Sequence, residues 1–171
     1  MGGIYPGLAW ISTADVSVSN TVTETSLLGS GVGSRVIGAS EIHPGRVIWF
    51  KIAGTIQSIL TPTLRIRGKL GSTLVIDTTT ATLVVITGTN QFEIEGWITC
   101  RTEGATGTIF SQGWLVYHSG LSGFNRIQGL NTTTTTLDTT VSQTLDVTAQ
   151  WGTISVSNII TQTNAYMDIL H

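Results

Sequence analysis

"TLRIRGKL", residues 63–70, sets Leu64, Ile66, Gly68 and Leu70 against Arg65, Arg67 and Lys69. Successive side chains of a β-strand point to opposite faces, so this two-residue period describes a strand with one apolar face and one cationic face. The period returns in "QFEIEGWITC" (91–100), where Phe92, Ile94, Gly96, Ile98 and Cys100 oppose Glu93, Glu95, Trp97 and Thr99. It returns again in "TLDVTAQW" (144–151), with Leu145, Val147, Ala149 and Trp151 facing in, and in "AYMDIL" (165–170), where Ala165, Met167 and Ile169 oppose Tyr166, Asp168 and Leu170. "RVIWFKIAGTI" (46–56) is almost continuously apolar and predicts a central strand covered on both faces.

Further strands are expected at 20–28, 32–38, 72–77, 82–87 and 107–118, separated by turn-forming stretches such as "GSGVGS", "HPG", "TGTN" and "TEGATG". No window carries a convincing 3.6-residue period. About ten short strands in two sheets predict an all-β chain, a two-sheet antiparallel β-sandwich with jelly-roll topology.

The stretch "NTTTTTLDTTVSQTLDVTAQWG" (131–152) tests whether the chain is one body or two. Its first ten residues hold neither Pro nor Gly, so they lack the composition of a flexible linker. The alternating strand resumes at 144, and the chain after 140 is too short to fold alone. The threonines therefore read as an edge strand or long loop of a single domain over 20–171. Residues 1–19 read as a separate amino-terminal arm: Ile4, Tyr5, Leu8 and Trp10 lie among glycines and Pro6 without strand regularity. Apolar residues of that kind need burial, against their own domain or a neighbour, and the neighbour is the expectation here.

Only 11% of the residues are charged, eight Lys or Arg and ten Asp or Glu, where about 25% is usual. A surface of Thr, Ser, Asn, Gln and Gly meets another protein at little desolvation cost, which suggests assembly. A neutral polar surface on a monomer is the plainer explanation. The net charge of −2 offers no footprint for nucleic acid, and no run approaches the ~18 apolar residues of a membrane span. The start lacks the basic and apolar regions of a secretory signal, so use without Sec export is expected. Asn131-Thr132-Thr133 then reads as a threonine loop and not a glycosylation site.

Chemistry-bearing groups are sparse. The single Cys100 excludes an intrachain disulfide and reads as a buried small hydrophobe. His43, His118 and His171 sit apart from any G-x-S-x-G motif, and Ser122 in "GLSGF" suits a turn. Glu93 and Glu95 share a strand face, as the carboxylates of a glycosidase could, but they are equally suited to pair with Arg65, Arg67 and Lys69 across neighbouring strands. Glu41 and His43 lack further metal ligands, and no cofactor is expected. Of the tryptophans, Trp49, Trp114 and Trp151 read as core. Trp97 alternates onto the face of Glu93 and Glu95 and reads as an interface anchor. The candidate interface residues are Tyr5, Leu8, Trp10, Trp97, Arg65, Arg67, Glu93 and Glu95.

"NTVTETSLLGSGVGSRVIGASEIHPGRVIWFKIAGTI" (20–56), followed by "TLRIRGKLGST", resembles a pattern found in predicted structural proteins of tailed bacteriophages and environmental viruses. "GWITCRTEGATGTIFSQG" (96–113) and "DTTVSQTLDVTAQWGTISVSNIITQTNAYMDIL" (138–170) are similar to later segments of the same group. The resemblance implies a non-enzymatic virion component with a jelly-roll-like fold, made in the host cytoplasm and placed on the capsid surface. It carries over no catalytic residue, and residues 1–19 lie outside it. The expectation is a head decoration or cement protein, a homotrimer bound to the major capsid protein or other virion proteins, without nucleic acid or membrane. The alternatives are a tail or head-fibre module that binds a host glycan, and a small single jelly-roll coat protein. Outside that class stand a non-viral carbohydrate-binding domain and an enzyme.

Overall fold

The computed structural model describes residues 8–120, 123–130 and 133–170, which form fifteen β-strands and no helix. In chain order they are β1 (Trp10–Ser12), β2 (Val16–Ser19), β3 (Thr25–Ser26), β4 (Gly31–Gly33), β5 (Val36–Ile37), β6 (Val47–Gln57), β7 (Thr63–Leu70) and β8 (Thr73–Asp77). They continue as β9 (Ala81–Thr82), β10 (Asn90–Thr102), β11 (Thr108–His118), β12 (Phe124–Leu130), β13 (Thr135–Thr136), β14 (Gln143–Trp151) and β15 (Ile159–Leu170). The larger sheet runs β12-β11-β10-β6-β15-β1-β4, with β13 on β11 and β2 on β15. The smaller runs β3-β14-β7-β8, with β5 on β14 and β9 on β7. All pairings are antiparallel, and the two sheets pack face to face as a β-sandwich.

Two of the arches that cross between the sheets lie side by side. Residues 58–62 lead from β6 to β7 and residues 152–158 from β14 to β15, while β6 pairs with β15 and β7 with β14. The meander β10–β11–β12 extends the larger sheet on the far side of β6. Alternation decides the core. Leu64, Ile66 and Leu70 of β7 and Leu145, Val147, Ala149 and Trp151 of β14 face Phe50, Ile52, Phe92, Ile94 and Ile98 of the larger sheet, all buried. Each Leu, Ile, Val or Phe among them contributes about 1.5–3 kcal/mol when removed from water. Trp151 is the largest of them, and its Nε1 donates to the Val18 carbonyl at 3.0 Å, so its one polar atom is satisfied. Cys100 is buried as expected, and burial pushes its thiol pKa up.

Where β8 lies over the meander, the sheets approach more closely than side chains normally allow. Gly96, Gly113 and Gly129 stand in register across β10, β11 and β12. Ile76 of β8 fills the trough they leave, with its Cδ1 2.6 Å from where a Cβ on Gly96 would lie.

Three expectations are corrected. Residues 10–19 are not an arm: β15 is twelve residues long, and its edge away from β6 is filled by β2 near its start and by β1 near its end. Trp10 is buried in the domain's own core, with the Arg35 guanidinium 5.5 Å from its ring. The expected strands at 20–28, 32–38 and 82–87 shrink to pairs or triplets of residues, because each meets a partner over only two or three positions. β6 is central, but one of its faces is open, and Trp49 and Lys51 look outward from it. The threonine run behaves as architecture from residue 133 on. Thr135 and Thr136 pair with β11, Leu137 is buried, and Thr139 Oγ1 accepts from the Gly104 N–H at 2.9 Å. Asn131 and Thr132 of the sequon, Ser122, His171 and residues 1–7 lie outside the described residues.

Candidate binding face on the large sheet

The outward face of the larger sheet is built by the parity of its strands. Trp114, Glu95, Lys51, Tyr166, Ile11 and Val32 lie in one cross-strand row from β11 to β4. Trp97, Trp49 and Asp168 make the adjacent row. The rings touch across strands. Trp97 and Trp114 stand with centroids 4.7 Å apart, and Trp49 meets Tyr166 edge-on at 5.3 Å.

Charged groups fix their orientation. Trp49 Nε1 donates to Glu95 Oε1 at 2.9 Å, and the Arg126 guanidinium lies 4.1 Å from the Trp114 ring centroid. Lys51 Nζ lies 2.9 Å from Glu93 Oε2, and the hydrogen bond to Glu93 holds the ammonium pKa above its ordinary value. Rings held this way have little rotamer freedom left to lose when a partner docks, which favours binding.

Beside the aromatic rows lies a groove of about 480 Å³. Its floor is Ala53 and Gly54, and its rim includes Gln91, Glu93, Val116, Phe124, Thr163 and Asn164. A β-bulge makes it. Gln162 and Asn164 oppose the consecutive residues Gly54 and Ala53, leaving Thr163 as the extra residue. A Cβ on Gly54 would fall 1.9 Å from the Thr161 carbonyl oxygen, so only glycine fits. Gln162 is buried beneath. With its amide turned to suit both neighbours, it donates to the Leu27 carbonyl and accepts from the Asn164 N–H at 3.0 Å.

Trp97, Glu93 and Glu95 are thus brought together as expected. Arg65 and Arg67 are not with them. They face outward from β7 in the other sheet, so the anticipated pairing with Glu93 and Glu95 does not form. Arg65 Nε donates instead to Asp77 Oδ1 at 2.8 Å, while Glu24 Oε1 lies 2.5 Å from Lys69 Nζ and Glu24 Oε2 3.1 Å from Arg67 Nη1. Trp10 is core, Leu8 is exposed, and Tyr5 lies outside the described residues. Trp49 and Trp114, expected in the core, are on the candidate face. The missed signal was parity: in "VIWFKI" Trp49 shares its phase with Lys51, and in "SQGWLVYH" Trp114 shares its phase with Gln112 and His118.

The Arg65 guanidinium holds the Asp77 carboxyl pKa below its ordinary 3.8, with the Thr79 N–H adding to the effect. A depressed pKa contributes stability that is complete above the unfolded value and is lost as the pH falls through the folded one. Thermal melts from pH 6 to pH 2 should therefore show wild type above Asp77→Asn at neutral pH and the two converging at the acid end. A gap that persists unchanged at pH 2 would show that the carboxylate charge is not what Asp77 supplies.

Among the described residues no three His, Cys, Asp or Glu side chains converge as a metal site would require. Compared with models of protein families, with characterised proteins and with solved structures, the chain matches none.

Proposed function

We propose that this chain is a non-enzymatic structural subunit of a virus particle, a decoration or cement protein that seats its large-sheet face on the shell and stabilises it. The observation that carries the reading is the face itself: three tryptophans and a tyrosine, with Trp49 held by Glu95 and Trp114 by Arg126, on the open side of a sheet with no layer over it among the described residues. Aromatic residues with an Arg beside them are what anchors of protein interfaces are made of. The low charge of the chain and its resemblance to virion proteins favour the same conclusion, and a homotrimer is the expected state. Binding the assembled shell and not its dissociated subunits would stabilise the assembly by mass action.

Particles lacking this chain should disassemble at a temperature several degrees lower than particles carrying it, and added purified protein should restore the difference. Trp97→Ala with Trp114→Ala removes rings that are outside the core, so the variant should fold and fail to restore it. Gradient-purified particles that contain no copy of the chain would overturn the reading. The groove beside Phe124 supports a second one, a fibre module that holds a glycan between an aromatic ring and the amide and hydroxyl groups of Gln91, Thr163 and Asn164. Glycan binding that is lost in Phe124→Ala, without any effect on particles, would select that alternative.

A further inference from the structure

We infer that the loops at one end of the sandwich form the surface through which copies of this chain associate. The strand registers bring the described parts of five connections to that end: residues 20–24, 58–62, 83–89, 119–120 with 123, and 152–158. Large apolar side chains are exposed in these loops, although Leu83 and Ile86 are buried in the usual way. Leu60 is 78% exposed, Phe124 at the base of its loop 76%, Val156 71% and Ile154 62%, with Ile59 and Val85 beside them. The polar residues Ser58, Ser119 and Asn158 are buried underneath.

Asn158, the Ser119 carbonyl and the loop backbones satisfy one another, whereas the buried Ser58 hydroxyl has no hydrogen-bond partner among the described residues. Asn158 accepts from the Ile59 N–H and donates to the Thr153 carbonyl, Leu83 N–H donates to Pro62, Gly152 N–H to Thr63 and Thr87 N–H to Ser119. A loop surface whose backbone is bonded inward can leave water without stranding donors. Leu60 also holds φ at +56°, a left-handed conformation that leucine rarely adopts, at the most exposed apolar position among the described residues. Strain of this kind persists only where surrounding contacts over-determine it.

Charge selects the occupant. Among the described residues of these five loops only Glu24 is charged, and it is bound by Lys69 and Arg67. Residues beside a symmetry axis meet their own copies, so a charge placed there opposes its like, while an uncharged patch does not. Both sheet faces carry such charges, Lys51, Glu93 and Glu95 on one and Arg65, Arg67 and Asp77 on the other. The uncharged pole meets its copies without that cost. A bilayer is the poorer fit, because the loops offer no Lys or Arg at headgroup level. This rests on reading the chain as an assembling subunit, and it leaves the aromatic face free for the shell.

Light scattering at two concentrations should give wild type a multiple of 18.2 kDa and Leu60→Asp with Val156→Asp the monomer mass, with circular dichroism unchanged. The weakening should be at least tenfold. If the double variant loses its fold, Leu60→Asn takes its place, since asparagine tolerates the left-handed backbone. A variant that keeps the wild-type mass overturns the inference, as does a wild type that is monomeric at both concentrations. So does a wild type that floats with phosphatidylcholine vesicles while the variant sinks, which would give the pole to a membrane. The variants keep Trp97 and Trp114, so particle binding tests the structural role separately.

Discussion

Gly96→Val is expected to lower Tm by roughly 6–12 °C, the equivalent of about 3 kcal/mol of overpacking in a chain of this size. Even the first added carbon has no room. A Cβ at position 96 would lie 2.5 Å from Phe50 Cζ and 2.6 Å from Ile76 Cδ1, and valine adds two methyl groups beyond it. Neither neighbour can swing away. Phe50 is buried on the central strand β6, and Ile76 already occupies the trough over Gly113 and Gly129. The sheets must separate locally or the side chains must leave their rotamers. Gly38→Ala is the control, because the nearest atoms to its new methyl group belong to the flexible Glu41 side chain, at 3.2 Å, and it should change stability by less than about 0.5 kcal/mol. A double-mutant cycle identifies the contact. Ile76→Val removes Cδ1, so Gly96→Ala should cost clearly less in that background than in wild type. Equal costs in both backgrounds would place the crowding elsewhere.

That glycine row was only half visible in the sequence. Gly68 and Gly96 were assigned inward because they share the phase of Ile66 and Ile94, and the structure agrees. What alternation cannot supply is that Gly96, Gly113 and Gly129 stand side by side, since this depends on the register of β10, β11 and β12. The long strands were legible for the reason the short ones were not. Over eight or more residues the two-residue period is unmistakable. Over the three residues of β1 or the two of β3 it has no room to appear, and pairing with β15 or β14 decides the conformation.

The candidate face exposes a sharper limit. "RVIWFKIAGTI" read as covered on both sides because Trp49 stands among isoleucines, and an apolar residue that faces a partner obeys the same period as one that faces the core. Lys51 was the discriminating residue: a lysine is rarely buried unpaired, so positions in its phase look outward, Trp49 included. Trp97 was placed on the outer face by the same logic, with Glu93 and Glu95 as the markers. The expected pairing of those glutamates with Arg65, Arg67 and Lys69 failed for a different reason. Charge complementarity says which residues suit each other, but not which sheet holds them, and β7 and β10 belong to different sheets.

Gly54→Ala should be comparably damaging, about 3 kcal/mol, and it bears on the binding face as well as the fold. Here the obstacle is backbone. A Cβ at position 54 would sit 1.9 Å from the Thr161 carbonyl oxygen, and no side-chain rearrangement relieves that. The crowding belongs to the bulge, where β15 presents Gln162, Thr163 and Asn164 to only Gly54 and Ala53 of β6. Deleting Thr163 leaves Gln162 and Asn164 consecutive opposite consecutive partners, with the inward phase of Ile160, Gln162 and Ala165 preserved. The deletion should therefore recover most of the stability lost in Gly54→Ala, measured as Tm and as amide exchange along β6 and β15. It should also close the groove that Thr163 and Asn164 help to rim. A protein repaired in this way separates the two uses of the face. If the groove is a glycan site, the repaired chain loses glycan binding, whereas docking through Trp49, Trp97 and Trp114 survives. If Gly54→Ala proves neutral, the bulge has slack that its contacts do not show. In that case glycine at position 54 reflects something other than the crowding between β6 and β15.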